Sequence, residues 1–162
     1  MTSRIHFDFE TRSEIDLRVV GLHRYAKDPT TEVLCFGYAI DDGPVQVCSP
    51  ALDGAYQCQE HVTGIIDRLQ DGAVFVAHNI AFEIEIWNNV LLKSLGIGSY
   101  AKLDINQCDC TMARAYAMAL PGSLDGAASA TGIAMQKDAG GHRLMMQLCK
   151  PKSYLADGFP EW

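Results

Sequence analysis

Ser3-Arg4-Ile5-His6-Phe7-Asp8-Phe9, running on into Glu10-Thr11, is the stretch on which the fold turns. Apolar and polar residues alternate through 3–9, the period of a strand with one buried and one wet face. Phe7 and Phe9 project to one side, while Asp8 and Glu10 share the other. Residues 33–40, Val-Leu-Cys-Phe-Gly-Tyr-Ala-Ile, read as a longer apolar strand. Asp41-Asp42-Gly43-Pro44 has turn chemistry. Residues 45–48 return as a third strand, so 33–48 is a hairpin. In 59–70, Val62, Ile65, Ile66 and Leu69 recur at helical spacing, and Asp71-Gly72 ends the helix. A short buried strand over 73–77 follows. His78-Asn79 then opens a helix, with Asn79 as its N-cap and Phe82, Ile84, Ile86, Trp87, Val90 and Leu91 at its apolar positions.

Antiparallel strands thus come first and a βαβ portion second, which defines an α/β domain with a mixed sheet flanked by helices. Further on, 103–108 reads as a last strand and Thr111–Leu120 as a helix stopped by Pro121-Gly122. Ser123 caps another helix to about Thr131, and 141–149 is helical. Lys150–Gly158 is loop-like. Phe159-Pro160-Glu161-Trp162 has the pattern of the first turn of a further helix. A chain of 162 residues suffices for one domain with its own core. The connection over 10–32 is long, and such connections often carry function.

With 48% apolar and 20% charged residues, the chain is neither disordered nor of low complexity. No apolar run matches a membrane span, and the N-terminus lacks a signal-peptide core, so a cytoplasmic protein without a membrane partner is expected. Six cysteines, at 35, 48, 58, 108, 110 and 149, lack the paired spacing of a zinc site. They are expected as buried or free thiols in a reducing compartment. The net charge is −7, but residues 28–72 hold one Lys/Arg against eight Asp/Glu. Residues 1–27 hold five against four, and 73–162 hold seven against eight. The acidity is therefore local, and a polyanion can be bound elsewhere.

Asp8 and Glu10, side by side, repel unless a cation joins them. Taken alone they also fit the wet face of an ordinary strand. Glu83 falls in the first turn of the helix after the fourth strand, where the helix dipole favours an anion. Strand ends and helix N-termini meet at one end of an α/β sheet, and sites collect there. Three carboxylates converging there would make an oxygen-rich site for Mg²⁺ or Mn²⁺. Two such ions can activate water and stabilise a leaving oxygen in phosphodiester hydrolysis.

These residues fall in an ordered set. Asp8-Phe9-Glu10-Thr11 resembles the first motif of the DEDD 3′–5′ exonucleases. His78-Asn79-Ile80-Ala81-Phe82-Glu83 resembles the second, with Glu in place of Asp. The nearest likeness is to the proofreading domain of phage-type family A DNA polymerases. It extends through Val20-Gly21-Leu22-His23-Arg24-Tyr25-Ala26, Thr31-Glu32-Val33-Leu34-Cys35 and Cys110-Thr111-Met112-Ala113. Leu120-Pro121-Gly122-Ser123-Leu124, Lys137-Asp138 and Leu148-Cys149-Lys150-Pro151 continue it.

The resemblance implies a ribonuclease H-like fold and a 3′–5′ exonuclease that hydrolyses terminal phosphodiesters of DNA with Mg²⁺ or Mn²⁺. By it, Asp8 would bridge both metals, Glu10 would bind one and help place the attacking water, and Glu83 would support the second. Thr11 and Asn79 would contact the terminal nucleotide. His78 and Asp109 would be structural or would brace the ligands, and Phe82 would be core. The family's fourth acid, on a late helix in Tyr-x-x-x-Asp or His-x-x-x-x-Asp, has no counterpart here. His142 has the spacing, but Gln147 stands at the acid position. The expectation is one exonuclease-like domain over 1–162 lacking its closing helix, weak or inactive alone. Its partners would be a single-stranded or frayed DNA 3′ end, and a polymerase chain or the absent C-terminal portion. A non-catalytic module binding a 3′ end or a polymerase partner, and an exoribonuclease, are the rival readings.

Overall fold

The computed structural model describes residues 2–134 and 138–162. The elements run β1 (Arg4–Arg12), α1 (Leu17–Val20), α2 (Leu22–Lys27), β2 (Glu32–Ile40), β3 (Gln46–Cys48), α3 (Pro50–Asp53) and α4 (Ala55–Gln70). They continue with β4 (Val74–Ala77), α5 (Ile80–Ile86), α6 (Leu92–Ser94), β5 (Cys108–Cys110), α7 (Thr111–Ala117), α8 (Leu124–Ala130) and α9 (Ala139–Leu148). Two short strands, β6 (Ser153–Tyr154) and β7 (Pro160–Glu161), close the order.

The five-stranded sheet has the order β3-β2-β1-β4-β5. β1 is antiparallel to β2 and parallel to β4, and β4 is parallel to β5. This is the mixed sheet of the ribonuclease H-like expectation. The alternation along β1 holds as read: Ile5, Phe7 and Phe9 are buried, His6 and Asp8 exposed, Glu10 half-buried.

Phe7 is the hub of the buried face. Its ring stands 5.2 Å from Phe36, 5.0 Å from Phe75 and 5.6 Å from Trp87. From α4, Val62, Ile65, Ile66 and Leu69 close the same core. After α5 the helix takes a π-helical turn over Trp87–Leu91 before α6. Such a turn shifts the buried face along the helix. Trp87, Val90, Leu91 and Leu92 are buried, while Phe82 and Ile84 pack only partly against the core. The fully buried Trp87 donates its indole N–H to the carbonyl of Ala101 at 2.9 Å, which satisfies that buried donor.

Several boundaries differ from the sequence reading. β5 begins only at Cys108, because Asp104 and Gln107 form a capping box around a 3-10 turn over Ile105–Gln107. The helix from Thr111 ends at Ala117, and Ala119 adopts a positive φ of 57° ahead of Pro121. Ser123 does cap α8, accepting from the Gly126 amide at 3.2 Å. Phe159–Trp162 is not a helical turn. Gly158, at φ 84°, reverses the chain, and β7 pairs back on β6. The Trp162 ring then lies 4.4 Å from the Arg12 guanidinium. Lys137, part of the resemblance, lies outside the described residues.

The expectation of free thiols fails for two cysteines. The end of β3 and the first turn of α4 bring the Cα atoms of Cys48 and Cys58 to 6.0 Å, and the two form a disulfide. Cys35, Cys108, Cys110 and Cys149 are free. Among the described residues after Cys110, Ala115 is the one buried hydrophobic, and α8 has no buried residue. Among all the described residues, no helix is long and apolar enough to cross a membrane.

Because Trp87 joins the aromatic cluster to the π-helical turn, Trp87→Ala is expected to destabilise the fold by about 3–5 kcal/mol. A urea unfolding curve checks this, and a midpoint equal to that of the parent chain would refute the assignment of Trp87 to the core.

Candidate functional site

β4 pairs with β1 only as far as His6 opposite Val76. Beyond that point the β4-side edge of β1 has no strand partner, and α5 fills the place. The chain leaves β4 through His78 and turns at Asn79, which takes a left-handed conformation at φ 66° and ψ 54°. Asn is among the few residues that accept that region. Asn79 occupies the N-cap position but makes no side-chain cap bond, contrary to the expected capping role, because a cap of that kind needs an extended backbone. Its side chain stays exposed.

The turn delivers Glu83, in the first turn of α5, against β1. The backbone amide of Phe9 donates to the Glu83 carboxylate. Glu83 is 2% exposed, and its Oε2 has no hydrogen-bond partner. Burial, above all, pushes its carboxyl up to about 9; the charges of Asp8 and Glu10 add to the rise and outweigh the Phe9 amide. The three acids named from sequence are therefore neighbours in an electrostatic sense. Their donor oxygens do not converge as tightly as 4.8 Å among themselves. Among the described residues that criterion is met by Cys48, Asp53 and Cys58. That set has no thiolate to offer while its sulfurs are bonded to each other.

Asp8 and Glu10 sit on the sheet face opposite the aromatic cluster. Across the β1–β2 ladder, Asp8 is paired with Gly37 and Glu10 with Cys35. The Cys35 thiol is raised, first by burial and then by the Glu10 and Asp8 charges. Gly37 lies in none of the motifs, and the motif that ends at Cys35 does not mark it as a neighbour of the acids. Pairing the 33–40 strand against β1, residue by residue, is the signal that would have found them.

The other expected residues divide. Thr11 follows a register shift between Glu10 and Thr11, is buried, and its Oγ1 lies 2.9 Å from the Tyr25 hydroxyl. The Thr11 hydroxyl thus ties β1 to α2 and is not presented beside the acids. His78 spans three segments. Its Nε2–H donates to the Gly122 carbonyl at 2.8 Å, and its Nδ1 lies 3.0 Å from the Thr111 hydroxyl. Asp109 receives Arg4 at 2.5 Å and Arg114 at 2.7 Å. Burial pushes the Asp109 carboxyl up, but the two guanidinium groups hold it below the ordinary carboxylate range. Both residues brace the sheet, and Asp109 is a partner of arginines in this structure. Phe82 packs partly against the core.

No protein-family model matches this chain. The chain is similar to the DNA polymerase of Bacillus phage SP02, 30% identical over 154 residues. That match takes in 91% of this chain and 21% of the phage protein, so the chain spans about a fifth of that relative's length. Among solved structures it resembles the family B DNA polymerase of the hyperthermophilic archaeon Pyrobaculum calidifontis, with a TM-score of 0.54 and 14% identity. That likeness covers 93% of this chain and 21% of the archaeal one, and it is a likeness of fold.

The Glu83 shift has a defined consequence for stability. Its folded value of about 9 lies above the ordinary 4.5, so the native state binds this proton more tightly than the unfolded chain does. The resulting stability is complete below the unfolded value and is lost as pH rises through the folded one. With divalent ions chelated, the chain is expected to be less stable at pH 7 than at pH 4 by on the order of 3 kcal/mol from this group. Glu83→Gln, which keeps a neutral side chain, should flatten that slope and match the parent at low pH. Parallel stability–pH curves for the two proteins would show that Glu83 is not held neutral.

Proposed function

We propose that the chain is a 3′–5′ exonuclease-type domain of a DNA polymerase, which hydrolyses the terminal phosphodiester of a DNA 3′ end and releases a nucleoside monophosphate. One observation carries the reading: a buried Glu83 oxygen without a partner, in the field of Asp8 and Glu10. A divalent cation would relieve the repulsion among the acids, and a water on it would satisfy that oxygen. The donors are all carboxylate oxygens, which suits Mg²⁺ or Mn²⁺. Asp8 and Glu10 would hold the ions, and Glu83, at longer range, would take part through water. Bound there, the ions would supply activation of the attacking water and charge stabilisation of the leaving oxygen.

The chain's own residues do the rest. Phe9 fixes Glu83 through its amide, and the Phe7 cluster behind β1 keeps Asp8 and Glu10 on the open face. Exposed Asn79 is the polar side chain we assign to the terminal nucleotide. Thr11 holds α2 against β1 through the Tyr25 hydroxyl. Water adds to the terminal phosphorus, the bond from phosphorus to the 3′ oxygen breaks, and that oxygen leaves with a proton. Similarity to part of a phage DNA polymerase supports DNA as the substrate over RNA, and a polymerase portion as the partner.

A second reading also has its observation. At the spacing counted from His142, Gln147 stands where the resembled motif has its acid, and the three acids are more widely spaced than a closed cage requires. A non-catalytic domain that binds a 3′ end or a polymerase partner would show the same features.

Two measurements separate these readings. The purified chain is expected to trim a labelled single-stranded oligodeoxynucleotide with Mn²⁺, and Asp8→Ala should lower the rate by at least about 10²-fold. Calorimetric Mn²⁺ binding should disappear in the Asp8→Asn, Glu10→Gln double variant. Mn²⁺ binding through these acids without trimming would favour the non-catalytic domain. Trimming that survives Asp8→Ala would refute the site.

A further inference from the structure

Gly37 stands in the interior of β2, where the backbone does not call for glycine. Its φ lies outside the positive region that six other glycines adopt. A Cβ built there would meet only the Gln46 carbonyl oxygen, at 3.9 Å, an ordinary contact. A glycine inside a strand forfeits side-chain packing and chain-entropy advantage, and it often marks a place where a ligand comes close.

Its position gives that gap a meaning. Gly37 is paired with Asp8 on one side and with Val47 of β3 on the other. Residues directly opposite each other project to the same face of a sheet. Across this face the row therefore reads carboxylate, empty slot, apolar wall, and Val47 is 64% exposed. The neighbouring partners along β2 are also small: Cys35 opposite Glu10, and Ala39 opposite His6. A separate feature points to a ligand at the acids themselves: across β1 from this slot, the buried Glu83 oxygen has no partner and lies in the field of Asp8.

We propose that the slot at Gly37 seats the sugar of the terminal nucleotide, with Val47 as the apolar wall against which the sugar and base edge rest. The inference builds on the exonuclease reading and names the residues that set where the scissile phosphate lies. A sugar lying over Gly37 holds its phosphate over Asp8 rather than farther along the face. Gly37 is then a positioning residue that acts by having no side chain, and Val47 is a contact residue. A larger residue at 37 would fill the slot without touching the acids.

The test uses the full chain with Gly37→Ala and Gly37→Val. Thermal unfolding should be unchanged or shifted upward, since a β-branched residue suits an open strand position. Mn²⁺ binding by calorimetry should stay as in the parent. Affinity for a short fluorescein-labelled oligothymidylate, read by anisotropy with Ca²⁺ present, should fall about tenfold for Val and less for Ala, tenfold being about 1.4 kcal/mol. Where trimming is measurable, KM should rise and kcat should fall as well, because a displaced sugar carries its phosphate away from Asp8. A folded Gly37→Val that binds the oligonucleotide like the parent overturns the inference and leaves the exonuclease reading intact. Should Val at 37 fail to fold, an Ala variant with parental affinity overturns it equally. A parent chain that binds Mn²⁺ through Asp8 but takes up no oligonucleotide overturns it too. Mn²⁺ binding indifferent to Asp8 and Glu10 removes the exonuclease reading, and this inference with it.

Discussion

The two-residue period of β1 is the constraint from which the rest follows. Seven ångströms or so of strand, two residues' rise, carries both the hub of the core and the acids of the candidate site. Phe7 and Phe9 must go one way because Phe36, Phe75 and Trp87 wait there. Asp8 and Glu10 then have no choice but the other face. The energy that fixes the acids is thus the packing energy of their apolar neighbours. Strand pairing extends the same logic sideways, so Gly37 and Cys35 reach the acid face because Phe36 and Tyr38 belong to the core.

Glu83 is the counterweight. Placing a carboxyl where burial and two like charges all oppose ionisation costs stability near neutral pH unless the group stays protonated or gains a cation. The Phe9 amide compensates only in part. The fold accepts this because β4 stops pairing with β1 at His6, leaving an edge for α5 to cover. The left-handed Asn79 makes the turn tight enough for α5 to do so. Bracing of the same sheet end falls to His78 and Asp109, whose partners lie on α7, the Pro121-Gly122 turn and β1.

Much of this was legible in the chain itself. Alternation over 3–9 and the apolar run over 33–40 mark their own strands, so the mixed α/β sheet could be read without coordinates, while the order of strands within it could not. Asp8, Glu10 and Glu83 followed from their places on a strand face and a first helical turn. What stayed hidden depends on distance through space. The Cys48–Cys58 bond joins residues whose spacing matches no motif, and it needs the corner between β3 and α4 to be drawn first. Thr11 entered only through the resemblance, and the strand period places it on the side of Phe7 and Phe9, where its hydroxyl meets Tyr25. The π-helical turn was invisible because apolar residues at 82, 84, 86, 87, 90 and 91 suit an ordinary helix equally well. Phe159–Trp162 misled because Pro and Glu suit a helix start as well as a strand that follows a glycine reversal.

The pairing of β1 with β2 decides which insertions and deletions the chain can absorb. Loss or gain of one residue between β1 and β2 that moved their pairing by a single step would bring Phe36 or Tyr38 opposite Asp8. The aromatic core would be turned outward in the same event. A change of length in 13–31 is harmless only if the connection itself absorbs it. The shift already present between Glu10 and Thr11 lies downstream of the acids on β1, so the strand tolerates irregularity where Arg12 and Glu32 pair and not where Asp8 and Gly37 do. Lineages of this sequence should therefore vary in length within that connection while the spacing from Asp8 to Glu10, and from Cys35 to Gly37, stays fixed.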